Sequence, residues 1–252
     1  LCFDGLNSGM WIGTAEGLSF FDLQKQSFTN LALPTDRLPN NSLVGMLIDR
    51  KQRLWIGTHH GLIVLDLYSF ARNRKDIGYL YFEYKLDNPA SKLIEKISCI
   101  WEAADGTIWL GSNGYGLYRI SSDKISSENF KNMTVKDGLP DNTIYGIVED
   151  NRHHLWISTN KGLSCLDVKS GHFANYYEQD GLPFEQFYWN SCYKSRNGMI
   201  YFGGLNGAIG LKGVNRVARK HPRIVFTQLT VQNNVIKQGE NNYLSQSISW
   251  AK

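Results

Sequence analysis

Apolar residues fall in short runs along this chain, each closed off by small or polar residues. Leu43 to Ile48, Leu54-Trp55-Ile56, Leu62 to Leu65 and Ile144 to Val148 are bounded by Gly, Asp, Asn or Ser, the punctuation of strands joined by tight turns. Clean alternation is missing because the runs are apolar on both faces, as in strands covered from two sides. Asp105-Gly106 and Asn197-Gly198 favour two-residue hairpins with positive φ.

The runs repeat. Met10-Trp11-Ile12-Gly13-Thr14 with Gly17-Leu18 is followed by Leu54-Trp55-Ile56-Gly57-Thr58 with Gly61-Leu62, then by Ile108-Trp109-Leu110-Gly111-Ser112 with Gly116-Leu117. Leu155-Trp156-Ile157-Ser158-Thr159 with Gly162-Leu163 is the fourth copy, and Ile200-Tyr201-Phe202-Gly203-Gly204 with Gly207-Ala208 a degenerate fifth. The aromatic positions 11, 55, 109, 156 and 201 lie 44, 54, 47 and 45 residues apart, the length of a four-stranded propeller blade.

Each unit reads as a first strand, a polar turn, the Trp-centred strand, a small-residue turn, a third strand such as Leu62–Asp66, and a fourth containing Phe28, Phe130 or Phe173. Ten residues before each aromatic stand Gly45, Cys99, Gly146 and Ser191, small side chains where inner strands crowd around an axis. The tryptophans are expected in the core, with the Gly or Ser two residues later making room for a ring of the neighbouring blade. The expected fold is all-β: propeller blades over 1–215, then a change of pattern. His221-Pro222 punctuates the chain, and Arg223 to Val231, Asn233-Asn234 and Val235-Ile236 read as the opening hairpin of a second module over 222–252, too short for a complete sandwich. With Leu1 already inside a strand-like run, the sequence reads as a segment of a longer chain.

The phrase Leu-Trp-Ile-Gly-Thr-x-x-Gly-Leu, with Asp-Gly-Leu-Pro at 137–140 and 180–183, resembles the two-component-regulator propeller repeat found in sensor regions of hybrid histidine kinases from Bacteroidetes. The tail resembles the start of the Ig-like β-sandwich, named for three tyrosines, that follows the last propeller there. The resemblance implies a seven-bladed ring of which five units are visible, a periplasmic location, and recognition of a glycan fragment with the signal relayed across the membrane to a kinase. It also implies a homodimeric parent receptor that reaches the membrane only through a segment outside these residues.

Composition narrows the chemistry. A formal charge of +4 with scattered Lys and Arg lacks the basic stripe that phosphate-backbone binding uses, so nucleic acid is not an expected partner. Cys2, Cys99, Cys165 and Cys192 show no ligand spacing and read as core thiols. No Gly-x-Ser-x-Gly, His-Glu-x-x-His, phosphate loop or calcium loop is present, so neither catalytic residues nor a cofactor are expected. His59-His60 and His153-His154 fall at opposite ends of a blade and cannot share an ion.

A binding surface is easier to place. The turn between second and third strands and the segment leading into the first strand emerge at the same propeller face. Those turns carry Ala15-Glu16, His59-His60, Asn113-Gly114-Tyr115, Asn160-Lys161 and Leu205-Asn206, and the lead-in positions are Asn41, Glu95, Asn142 and Phe187. Amide, imidazole and aromatic groups suit an oligosaccharide, and Tyr115, on a turn one residue longer than its neighbours, suits ring stacking. Asn residues are equally at home in turns for backbone reasons. A non-catalytic interaction or dimerisation propeller, and a propeller lyase or hydrolase, are the alternative readings.

Overall fold

The computed structural model describes residues 1–14, 17–31, 43–59, 61–74, 77–83, 96–211, 229–231 and 234–236. The chain divides into two units, Leu1–Gly213 and Val214–Lys252. Among the described residues the first unit contains four antiparallel four-stranded sheets and a three-stranded one, each running in chain order. These are β1 (Cys2–Asp4), β2 (Gly9–Thr14), β3 (Gly17–Asp22) and β4 (Ser27–Leu31); β5 (Leu43–Ile48), β6 (Arg53–Thr58), β7 (Gly61–Asp66) and β8 (Tyr79–Glu83); and β9 (Ile97–Glu102), β10 (Thr107–Ser112), β11 (Leu117–Ser121) and β12 (Lys131–Met133). The fourth is β13 (Ile144–Glu149), β14 (His154–Thr159), β15 (Gly162–Asp167) and β16 (His172–Tyr176), and the fifth β17 (Phe187–Lys194), β18 (Ile200–Gly204) and β19 (Gly207–Leu211). Of the second unit, the described residues form a hairpin, β20 (Leu229–Val231) with β21 (Asn234–Ile236).

The sheets are propeller blades. First strands lie side by side, β5 against β1 and β9, β9 against β13, and β13 against β17, so the small residues predicted there are where inner strands close on one another. A side chain on Gly45 would meet Ser98 and Cys99 of the next blade, and one on Gly146 would meet Cys192. The long spacing between Trp55 and Trp109 is accounted for in part by a helix, α1 (Leu67–Arg72), inserted between the third and fourth strands of the second blade. Asp66 caps it by accepting from Tyr68 N at 3.0 Å, as a short acidic side chain does at a helix start. Its Phe70 fills the first seam, 4.7 Å from the Trp11 ring.

Trp11, Trp55 and Trp109 are fully buried and Trp156 is 4 % exposed, as expected. In the first three blades the tryptophan looks toward the blade that follows: Trp11 clusters with Leu54, Ile56 and Phe70, Trp55 with Ile108, Leu110 and Phe130, and Trp109 with Leu155, Ile157 and Phe173. Tyr201, at the same register of the fifth blade, is 39 % exposed, because no blade stands in front of it among the described residues. Phe3 and Phe28, on the opposite side of the first blade, are likewise exposed. One expectation is corrected. Side chains on Gly13, Gly57 and Gly111 would meet Leu43, Ile97 and Ile144, so these glycines admit the aliphatic residue that opens the next inner strand, not a ring.

Two further regularities explain the repeat. The indole N–H donates to a carboxylate from the preceding turn: Trp11 to Asp4 and Trp55 to Asp49, both at 2.8 Å, and Trp156 to Asp150 at 3.2 Å. Against the upward push of burial, hydrogen bonds from His154 N, the Trp156 indole and Arg152 N hold the Asp150 carboxyl below its usual range. In the third blade Ala103 occupies that position, and the buried Trp109 Nε1 has no acceptor. Ala103→Asp is therefore expected to stabilise the chain by roughly 1 kcal/mol, measured by urea unfolding; a loss of stability would show that the seam cannot take a carboxylate. In the first four blades the Thr or Ser that ends the second strand donates to the carbonyl of the following glycine, Thr14 to Gly17, Thr58 to Gly61, Ser112 to Gly116 and Thr159 to Gly162.

Candidate functional site

The second-to-third-strand turns and the lead-in segments meet at one end of the blades, as the sequence led us to expect. Asn113 N donates to Lys96 O at 2.9 Å, in its own blade's lead-in, while Gly114 N and Gly116 N donate to Asn142 O at 3.2 and 2.8 Å, in the next. A bridge pairs Asn113 with Thr143. In the fourth blade Asn160 N reaches Thr143 O at 3.1 Å and Gly162 N reaches Glu185 O at 3.4 Å; in the fifth Leu205 N reaches Gln186 O at 3.3 Å. Each of these contacts either anchors a turn to its own lead-in or ties it to that of the following blade.

The predicted residues have unequal prospects there. His59, Tyr115, Asn160, Lys161 and Asn206 are exposed on this end, with Asn113 and Asn142 half-buried. Asn142 is built into its loop, its Oδ1 accepting from Val135 N at 2.9 Å. Tyr115 is held by its backbone, N donating to Ser112 Oγ at 3.1 Å and O accepting from Asn132 Nδ2 at 2.9 Å, and is 39 % exposed on this pinned turn. Asn160 Oδ1 accepts from the Tyr145 hydroxyl at 3.1 Å. Phe187 is buried, a core residue and not a ligand contact. His60, Asn41, Glu95 and the Ala15-Glu16 turn lie outside the described residues.

Sequence reasoning passed over an aromatic group beside these turns. Tyr145 and Trp189 meet edge to face with centroids 5.1 Å apart, and Tyr188 and Trp189 are both exposed. Burial, together with the nearby Asp141 charge, pushes the Tyr145 phenol above its ordinary pKa. The signal was available: Asp137 precedes Trp156 by 19 residues, whereas Asp180 precedes Tyr201 by 21, so the fifth unit carries two extra residues in this stretch.

At the opposite end, the turns between first and second strands hold the histidine pair apart. His153 Nδ1 pairs with Glu149 at 2.7 Å and His154 Nδ1 with Asp150 at 3.1 Å. A cleft of about 560 Å³ lies at this end of the first two blades, lined by Phe3, Gly5, Leu6, Asp49, Arg50 and Tyr68 among others. Arg50 is engaged there, donating to Ala103 O and Ala104 O at 3.0 and 2.9 Å. Among the described residues no three His, Cys, Asp or Glu side chains gather as a metal set. All four cysteines are thiols, and burial pushes Cys192 up to about 11.

The two component regulator propeller repeat matches residues 37–60 and 138–161. The chain is 24 % identical over 253 aligned residues to Histidine kinase P4 of Formosa agariphila, an alignment covering 98 % of this chain and 18 % of that protein. It is 25 % identical, with a TM-score of 0.75, to the extracellular domain of a hybrid two component system from B. thetaiotaomicron, covering 95 % of this chain and 32 % of that one. A streptogramin B lyase shares the fold at 18 % identity and a TM-score of 0.58, covering 84 % of this chain and 64 % of that one. The chain thus spans a third or less of the two sensor-type relatives it matches.

Proposed function

We propose that this chain, which carries two-component-regulator propeller repeats, belongs to the periplasmic ligand-sensing region of a hybrid histidine kinase and recognises a glycan fragment. The observation that carries the reading is the interlocked end of the blades. There the amide, ammonium and phenol groups of Asn113, Asn160, Asn206, Lys161 and Tyr115 are set on turns tied to their own or the following lead-in, with the His59 imidazole exposed at the same end. Hydrogen-bonding groups beside aromatic rings suit a hydroxyl-rich ligand. The likeness to an extracellular sensor domain over 95 % of the chain supports the extracytoplasmic placement. In this reading residues 222–252 begin an Ig-like sandwich, the receptor is a homodimer, and the membrane is reached by another segment.

A ligand transmits a signal only through its different affinity for two arrangements of the protein. A saccharide bridging the turns of successive blades would favour whichever arrangement keeps those turns in register. Catalysis is not part of the proposal. The test is a calorimetric titration with oligosaccharides from plant, algal and host polysaccharides, with products analysed by chromatography. Saturable binding of an intact oligosaccharide supports the reading; binding by none of them contradicts it, and cleavage would favour a lyase or hydrolase.

A further inference from the structure

The first strands share an irregularity that changes size in one blade. Pairing skips one residue between Leu43 and Gly45, between Ile97 and Cys99, and between Ile144 and Gly146, so Val44, Ser98 and Tyr145 are bulged out of the ladder. In β17 the jump runs from Phe187 to Cys192 while β18 advances only from Gly204 to Phe202, so Tyr188, Trp189, Asn190 and Ser191 all fall in the bulge. A bulge re-aims side chains and is common beside binding sites. This one is pinned: Asn190 adopts φ of 51°, and its Nδ2 donates to Val44 O at 3.1 Å, joining the fifth blade to the second past the two between them.

We infer that the enlarged bulge of β17 is a saccharide-stacking subsite. Trp189 and Tyr188, 39 % and 59 % exposed, supply ring faces, and the Tyr145 hydroxyl and Asn160 amide supply the adjoining polar groups. Trp189 is positioned by the Tyr145 ring, and Tyr145 is oriented in turn by Asn160. These two adjacent exposed aromatic rings, on a strained and anchored segment, stand apart from the core aromatics of this blade, Phe187 and Phe202. The ligand class is a neutral oligosaccharide, whose pyranose C–H faces stack on an indole while its hydroxyls take the amides. The inference rests on the glycan reading above and places its stacking element on the bulge, not on Tyr115.

The experiment is calorimetry on the full chain with cello-, xylo-, manno-, malto- and galacto-tetraose as probes, followed by indole fluorescence. Trp189→Ala is expected to weaken the best binder about tenfold or more and Trp189→Phe much less. Among the described residues Trp189 is the one exposed tryptophan, so the fluorescence response to sugar should vanish in the Trp189→Phe variant. Should Trp189→Ala unfold, Tyr188→Ala gives the same reading. Undiminished affinity in folded Trp189→Ala or Tyr188→Ala would overturn the subsite while leaving glycan sensing intact. Failure of all probes with the unaltered chain would overturn the subsite as stated, and failure of the wider calorimetric panel as well would overturn the glycan reading.

Discussion

Replacing Asp49 by alanine is expected to cost about 3–5 kcal/mol of folding stability, the range found when one partner of a buried charge pair is removed. Asp49 is 2 % exposed. Its carboxylate accepts from Lys51 N at 3.0 Å, Arg53 N at 2.9 Å, Arg53 Nε at 2.7 Å and Trp55 Nε1 at 2.8 Å. Deleting it removes the counter-charge of a mostly buried guanidinium, whose Nη1 keeps only the Ser122 carbonyl, and leaves a buried indole N–H without an acceptor. The third blade shows the same site already emptied: Ala103 replaces the aspartate and Thr107 the arginine, and the blade still folds around Trp109. Asp49→Ala combined with Arg53→Thr should therefore cost less than Asp49→Ala alone, a non-additivity that a double-mutant cycle in urea resolves. If the double variant is the less stable, the unpaired-charge account is wrong.

Gly162→Ala is the second large effect, and its cause is a close approach more than backbone conformation. Gly162 has φ of 78°, and a Cβ there would stand 2.3 Å from the Tyr176 carbonyl oxygen, a backbone atom of the paired fourth strand. Gly171 has a comparable φ of 71° with nothing within 4 Å of the added carbon. Gly171→Ala should cost about 1–2 kcal/mol for left-handed backbone alone. Gly162→Ala should cost about 1–3 kcal/mol more, because β15 and β16 must move apart. It should also weaken ligand binding, since the shifted turn carries Asn160 and Lys161. Equal losses at the two sites in thermal or urea unfolding would remove the steric argument.

The repeat was legible because its residues answer to constraints met in several blades. Tryptophans 11, 55 and 109 fill seams, the glycines after them admit Leu43, Ile97 and Ile144, and the glycine at the start of the third strand in the middle blades lies under a fourth-strand carbonyl. What escaped is what occurs once or acts across blades. The helix at 67–72 is an insertion with no counterpart, and its Phe70 reads as core only when Trp11 of the previous blade is beside it. The Asp-to-indole bond spans six residues or seven, depending on the blade, and nothing in a hydrophobic pattern marks it. Tyr201 matches the tryptophan register, yet register fixes which way a side chain faces and not what stands opposite.

At the candidate site, strand topology alone placed the turns and lead-ins together. It could not show that Asn142 is consumed by its own loop, or that Phe187 turns inward. The Trp189 group was hidden by counting back a fixed fourteen residues from the aromatic, which assumes a uniform ladder; the enlarged bulge breaks that assumption in the fifth blade, where the count lands on Phe187, the partner of Gly204.

Hydrogen exchange on the protein with and without its best-binding oligosaccharide tests the central claim most directly, because it asks which end of the blades holds the ligand. The account predicts slowed exchange at 113–116, 142–145, 160–162 and 186–190, with residues 49–52 and the Gly5-Leu6 turn unchanged. Protection confined to the cleft around Asp49, Arg50 and Tyr68 would contradict it and move the site to the other face.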